Sequence, residues 1–289
     1  MTKIHPNIEM GEVKLRVSQL ERSIAFYEEI IGMRVLSRGE GMAELGAEEG
    51  KTLLVLEQIP DPSVKRPRRT TGLYHFAVLL PTRRDLGVFL KQVMDKGIEI
   101  GQADHAVSEA LYISDPDDHG IEIYRDRPRI EWEYQPNGYI HMVTEPIDWR
   151  GLLHEAEGHE WHGLPAGTKI GHVHLHVNDL NAAKRFYCDQ LGFDMMLDGS
   201  SGWGALFIAA GGYHHHLGLN IWAGAGAPRP PAGSPALDYY TILLPDETAL
   251  QSLLDQLHRA GVEWSEAADG WYLEDPAGNR IRLNVMNAA

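Results

Sequence analysis

One cysteine, a shortage of positive charge and the lack of any long apolar run set the first limits on this 289-residue chain. Cys188 alone cannot close an internal disulfide, and its place in AKRFYCDQLGF gives it a packing role. Lys and Arg number 26 against 41 Asp and Glu, a formal charge of −15. Such a surface neutralises phosphates poorly, so nucleic acid is not an expected partner. The one dense basic stretch, VKRPRR at 64–69, is interrupted by proline between two strand patterns and reads as a solvated connector. No segment reaches the roughly 18 apolar residues of a membrane span. MTKIHPNIEM also lacks the apolar stretch of a secretion signal, so the expectation is a cytoplasmic protein without a membrane partner.

What is present is a globular composition, 43% hydrophobic and 23% charged, with 15 histidines. Neutral imidazole is the commonest protein ligand for transition metals. A strand, a helix and further strands recur four times. The copies begin at EVKLRV, YHFAVLLP, HVHLHV and DYYTILLP, and their helical stretches stop at Gly32, Gly97, Gly192 and Gly261. Each copy is therefore a βαβββ unit. A polar stretch rich in Trp, Pro and Gly separates the second copy from the third and exceeds the usual loop of about 4–6 residues. The expected division is 1–127 for copies one and two, 128–168 for the connector and 169–289 for copies three and four.

Most of the chemistry lies between Gly72 and Tyr124. Period-2 alternation puts His75 on the face opposite Phe76 and Val78, and Glu122 on the face opposite Ile121 and Ile123. His105 and Tyr112 lie between these two strands, before the turn at Asp115, Pro116 and Asp117. Each imidazole has a bland reading as a core histidine, Tyr112 as packing and Glu122 as a half-exposed strand carboxylate. The HEAEGHEWH cluster at 154–162 has no HExxH spacing and reads as solvated connector.

FYEEIIGM, FYCDQLGF, DPDDHGIEI and DPAGNRIRL, set in paired βαβββ units, resemble the vicinal-oxygen-chelate superfamily of glyoxalases, bleomycin-resistance proteins and extradiol dioxygenases. The resemblance runs through all four copies. It implies an α+β fold in which two units curl into a half-open barrel of eight strands, with metal ligands on the first strand of a unit and on the strand after the DPxGN turn. Aligned copies put Glu12, His75, His172 and Tyr239 at the first position, and Glu122 and Arg282 at the last. Pairing copies one with two and three with four leaves neither barrel a persuasive metal site. Pairing two with three gathers His75, Glu122 and His172, the facial triad of non-haem Fe(II) oxygenases, and leaves Glu12, Tyr239 and Arg282 in a degenerate site. This second pairing is the expected one.

The resemblance further implies a tyrosine ten residues before the ligand glutamate, which is Tyr112, and a histidine upstream of it, which is His105. The acid–base histidine belongs in GYHHHLGLN, where His215 best fits the register and His214 and His216 stay open. His174 and His176 share the face of His172 as supporting or solvent-facing groups. The activity implied is extradiol cleavage of a catechol- or hydroquinone-type dihydroxyaromatic by O₂, with Fe(II) or Mn(II) as the ion. Partners are then the small diol and O₂, with homo-oligomerisation open. Two other activities stay open: a glyoxalase-like isomerase or thiol transferase, whose usual fourth ligand, Glu or Gln, has Asn220 or a nearby His in its place in copy three, and a non-catalytic aromatic-binding protein.

Overall fold

The computed structural model describes residues 2–286. Copy one comprises β1 (Glu9–Val17), α1 (Leu20–Phe26), β2 (Arg34–Gly39), β3 (Met42–Gly46) and β4 (Thr52–Gln58). Copy two comprises β5 (Gly72–Leu79), α2 (Arg83–Asp95), β6 (Gly101–Asp104), β7 (Ser108–Ser114) and β8 (Gly120–Asp126). After α3 (Trp149–Glu155) in the connector, copy three runs through β9 (Lys169–His176), α4 (Leu180–Lys184), β10 (Asp194–Gly199), β11 (Ala205–Ala209) and β12 (Leu217–Asn220). Copy four has β13 (Ala236–Leu244), α5 (Glu247–Arg259), β14 (Ser265–Ala267), β15 (Gly270–Glu274) and β16 (Arg280–Val285). No helix among the described residues is long and apolar enough to cross a membrane.

Local chemistry sets the helix ends. The Thr82 side chain accepts from the Asp85 amide while the Asp85 carboxylate accepts from Thr82, a reciprocal cap at the start of α2. Asp179 and Asp246 cap α4 and α5 in the simpler way. All four terminal glycines, Gly32, Gly97, Gly192 and Gly261, have φ between 66° and 91°, where a side chain would be strained. The α1 and α4 helices each finish in a wider π-helical turn, Tyr27–Ile31 and Arg185–Gln190, which the sequence pattern did not foretell.

The strands form two eight-stranded sheets, ordered β14-β15-β16-β13-β1-β4-β3-β2 and β10-β11-β12-β9-β5-β8-β7-β6. Copy one therefore shares a sheet with copy four, and copy two with copy three, as the ligand register requires. Phe76, Val78, Ile121 and Ile123 turn to the helix-covered side and join Leu86, Phe89, Leu90 and Val93 of α2 in the main core. The opposite, concave face keeps the polar residues. Copies adjacent in sequence stay linked as well: Tyr27 donates to Asp115 at 3.0 Å, and Tyr187 donates to Asp275 at 2.9 Å. The FY and DP motifs of consecutive copies are thus direct, buried partners.

The connector packs against both sheet edges of copies two and three. Glu145 pairs with Asp104 on edge strand β6, while the Ile140 amide donates to Met196 on edge strand β10. Between these anchors, Trp132, Ile140 and Met142 pack with Leu197, Ala205, Phe207 and Tyr213. The segment covers the concave face of the copy-two/copy-three sheet. Its helix α3 lies so close to α2 that a Cβ on Gly87 would meet the Leu152 carbonyl oxygen at 2.2 Å, and Arg83 ties Asp148 and Glu155 to the buried Glu109. Gly87→Ala should therefore force the two helices apart and cost about 1–3 kcal/mol in urea unfolding. An unchanged midpoint would show that α3 docks loosely.

Candidate metal centre

Three strands deliver three groups able to ligate a metal to one point. Strand β5 pairs in parallel with β8, setting Ala77 beside Glu122, and antiparallel with β9, setting Ala77 beside His172. His75 stands two residues earlier on the same face. The parallel β5–β8 contact needs the α2 crossover and also Gly120, where a Cβ would meet the Tyr74 carbonyl oxygen at 2.2 Å. The turn into β8 is held by Asp115, whose Oδ1 accepts from the Asp117 and His119 amides.

Glu122 Oε2 lies 3.0 Å from His75 Nε2 and 3.2 Å from His172 Nε2. All three residues are buried, at 2% exposure for Glu122, and their donor atoms fall within 4.8 Å of one another. His75 Nε2 has no properly aligned hydrogen-bond partner although it is fully buried, an arrangement that suits a ligand rather than a satisfied core histidine. Burial pushes the His172 imidazole down to about 4 against the attraction of Glu122. Burial would raise Glu122, but the imidazoles of His172 and His75 outweigh it and hold the carboxyl well below its usual range. A divalent cation requires its imidazole and carboxylate ligands free of protons, and the shifts of His172 and Glu122 both run toward that state.

The remaining expected residues surround this cluster. His105 Nδ1 donates to the Val143 carbonyl oxygen at 2.7 Å, and in neutral His105 that leaves Nε2 to accept from the Tyr112 hydroxyl, also at 2.7 Å. Tyr112 faces Glu122 across β7 and β8, with its ring 5.7 Å from that of His75. The three consecutive histidines separate cleanly. His214 Nε2 is 2.8 Å from Asp126, and its Nδ1 is 2.7 Å from His215 Nδ1. With Asp126 as acceptor, the protons run His215 to His214 to Asp126, and His215 Nε2 keeps its lone pair. The His215 ring is 4.1 Å from that of His172, and burial holds it neutral. His216 accepts from the Ala210 amide instead.

His174 is buried, its Nε2 lacks a partner, and its ring lies 5.0 Å from His75. It fits only because β12 has Gly218 opposite, where a Cβ would approach the ring to 2.7 Å. His176 is half-buried and bonds Asn220. A register shift in β5 turns Tyr74 toward the same side, its ring 5.1 Å from both His174 and Trp222. A cavity of about 960 Å³ opens against His75, Tyr74 and Tyr112.

The other sheet repeats the geometry with different side chains. Arg282 donates to Glu12 and, at 3.2 Å, to the Tyr239 hydroxyl, in a cavity of about 820 Å³. There a guanidinium neutralises the carboxylate, and no metal cluster forms among the described residues.

A family model described as the Glyoxalase/Bleomycin resistance protein/Dioxygenase superfamily matches residues 9–123 and 169–283. The chain belongs to this superfamily. Among superfamily relatives, it is 48% identical over 276 residues to catechol-2,3-dioxygenase of Bacillus subtilis (strain 168), covering 96% of both chains. In fold it resembles a solved protein of Bacillus subtilis subsp. subtilis str. 168 at TM-score 0.69, with 10% identity over 100% of this chain and 87% of the other. It resembles glyoxalase I of Zea mays at TM-score 0.57, with 18% identity over 96% and 92%.

Several contributors escaped the sequence reading. Ala77 leaves the space between Glu122 and His172, and only its small size in an apolar strand could have signalled that. Asp126, Val143 and Trp132 reach the site through tertiary contacts without a local pattern. The VKRPRR stretch, expected to be solvated, is partly engaged: Arg66 is half-buried and donates to the carbonyls of Leu73 and Asp118.

Ala77→Leu should fill the space between the ligands and weaken Fe(II) or Co(II) binding at least about tenfold in a chelator competition, with far-UV circular dichroism retained. Unaltered affinity would place the metal elsewhere. Acid stability has a separate signature, because burial pushes His216 down to about 3. The unfolded imidazole takes up its proton below about 6.5 and the folded one does not, so stability is full above that value and is lost as pH falls. His216→Asn should lose about 2 kcal/mol less than the parent protein between pH 7 and 5; equal losses would contradict the assignment.

Proposed function

We propose that this protein is an Fe(II)-dependent extradiol dioxygenase that opens the ring of a catechol- or hydroquinone-type dihydroxyaromatic beside its diol with O₂, Mn(II) being the alternative ion. The observation that carries the proposal is the buried His75, Glu122 and His172 donor set in a chain 48% identical to catechol-2,3-dioxygenase along 96% of its length. Iron held by these three residues would supply a Lewis acid that favours the ionised diol, with coordination positions left for the diol and dioxygen together.

The protein's own groups divide the rest of the work. Neutral His215, with its Nδ1 proton committed to His214 and thence Asp126, presents Nε2 as a base for a diol proton and returns that proton as ring cleavage proceeds. Asp126 and His214 fix its tautomer. The Tyr112 hydroxyl, its proton given to His105 and His105 oriented by the Val143 carbonyl, offers its oxygen as an acceptor for a substrate hydroxyl. Trp132, Met142 and Phe207 keep water from the concave face, which strengthens each of these electrostatic contacts.

A glyoxalase-like isomerase or thiol transferase would draw a fourth oxygen ligand from copy three. Asn220, the residue that best suits that place, is instead occupied by His176 and the Trp222 amide. A protein that only sequesters an aromatic would bind a diol without consuming O₂.

Anaerobic loading with Fe(II), followed by catechol and O₂, should give a yellow semialdehyde-type product. His172→Ala should lose both iron and turnover. His215→Asn should retain iron while kcat drops about 10²- to 10⁴-fold. Failure of the Fe(II)- and Mn(II)-loaded protein to turn over any dihydroxyaromatic would refute the proposal.

A further inference from the structure

His215, His214 and Asp126 form a hydrogen-bonded chain from the metal centre to a second opening. His215 Nδ1 meets His214 Nδ1 at 2.7 Å, and His214 Nε2 meets Asp126 Oδ1 at 2.8 Å. Both imidazoles are buried, whereas the Asp126 side chain keeps 25% exposure. Asp126 lines a cavity of about 290 Å³ with Trp132, Lys169, Ala210 and Tyr213. This cavity lies at the C-terminal ends of β5 and β8, beside Leu79 and Asp126, while the cavity of about 960 Å³ lies at their N-terminal ends, beside Leu73 and Gly120; no residue lines both. The surrounding groups leave the Asp126 carboxylate free of an ion pair with Lys or Arg. Tyr213 donates to it at 3.0 Å. Of the cations on the same cavity, Arg127 pairs with Asp104, Lys169 pairs with Glu9, and Arg129 lies over the rings of Trp132 and Tyr213. His216 accepts from the Ala210 amide.

We infer that this chain is a proton outlet, in which Asp126 takes up the proton that a bound diol gives up and passes it to water in the 290 Å³ cavity. The inference rests on the ring-cleaving reading, of which it needs only the first event, binding of a diol at the triad. The diol O–H bond breaks as an N–H bond forms at His215 Nε2, the Nδ1 proton of His215 moves to His214 Nδ1, and the Nε2 proton of His214 moves to an Asp126 oxygen. One proton enters the chain as one leaves it, so neither buried imidazole has to hold a charge. Run in reverse, the same shifts restore the starting tautomers and return a proton to His215 Nε2. A separate outlet suits this site because Trp132, Met142 and Phe207 close the concave face against water. Continuity of the chain and its access to solvent carry the assignment. A carboxylate that merely orients His214 needs no opening of its own.

The test mixes the Fe(II)-loaded full chain with catechol anaerobically, in weak buffer with a pH indicator, and follows proton release into solution before any O₂ is present. The parent protein should release protons as catechol binds. D126N keeps an oxygen that accepts from His214 but cannot take up a proton, and it should slow release at least about tenfold without changing the total released. Formate, an acceptor small enough for the cavity, should restore part of the rate. A210L closes the cavity and leaves the three linked groups in place, so it should slow release as well; it decides the matter if D126N fails to hold iron. Release at the parent rate in D126N, or in A210L where that variant decides, would overturn the inference, as would binding of catechol without release in the parent. Slow release in D126N that formate leaves unchanged would mark an orienting role for Asp126 and overturn it too. Proton release that follows this pattern in a protein inert toward O₂ and every diol would sink the ring-cleaving reading alone.

Discussion

The antiparallel pairing of β5 with β9 is the constraint on which the site depends. It joins copy two to copy three and fixes Ala77 beside His172 on one side, while the parallel pairing with β8 fixes Ala77 beside Glu122 on the other. A slip of one residue would turn His172 to the helix-covered face and bring Val173 inward. Apolar residues on the opposite face resist such a slip: Phe76 and Val173, partners in the pairing, are both fully buried in the main core. The hydrophobic pattern thereby sets the positions of the polar cluster, and little of the site depends on loop conformation.

The two sheets show what one backbone can do with different side chains. In one, Glu122 meets the imidazoles of His75 and His172, and among the described residues no Lys or Arg pairs with it. In the other, Arg282 supplies a cation from within and bonds both Glu12 and Tyr239. Burying a carboxylate without a partner is costly, so each cavity solves the same electrostatic problem in its own way. Sequence-adjacent copies are held by Tyr27–Asp115 and Tyr187–Asp275, whereas sheet pairing joins copies one with four and two with three. Every copy consequently contacts two others, and the metal-competent cavity is built across a seam far apart in sequence.

Much of this was legible in the sequence, because the signals were periodic. Strand alternation put His75, Glu122 and His172 on polar faces, terminal glycines marked four helix ends, and the mismatched residues Tyr239 and Arg282 argued against pairing copies three and four around a metal. The histidines of GYHHHLGLN were harder to separate, since adjacent residues point to different sides and only the fold reveals that His214 meets Asp126, His215 meets His172 and His216 meets a backbone amide. The connector's packing was not legible, because its apolar residues, Trp132, Ile140 and Met142, follow no helix or strand period; their burial arises from bridging β6 and β10. VKRPRR was misread for a related reason, since composition reveals charge but not what that charge faces.

The central claim is that copies two and three jointly hold one metal ion. Anomalous diffraction at the iron absorption edge, on crystals loaded anaerobically with Fe(II), tests this most directly. The account predicts a single strong peak among His75, Glu122 and His172, with nothing beside Arg282. A peak elsewhere, or no peak in a protein with full iron content, would contradict it.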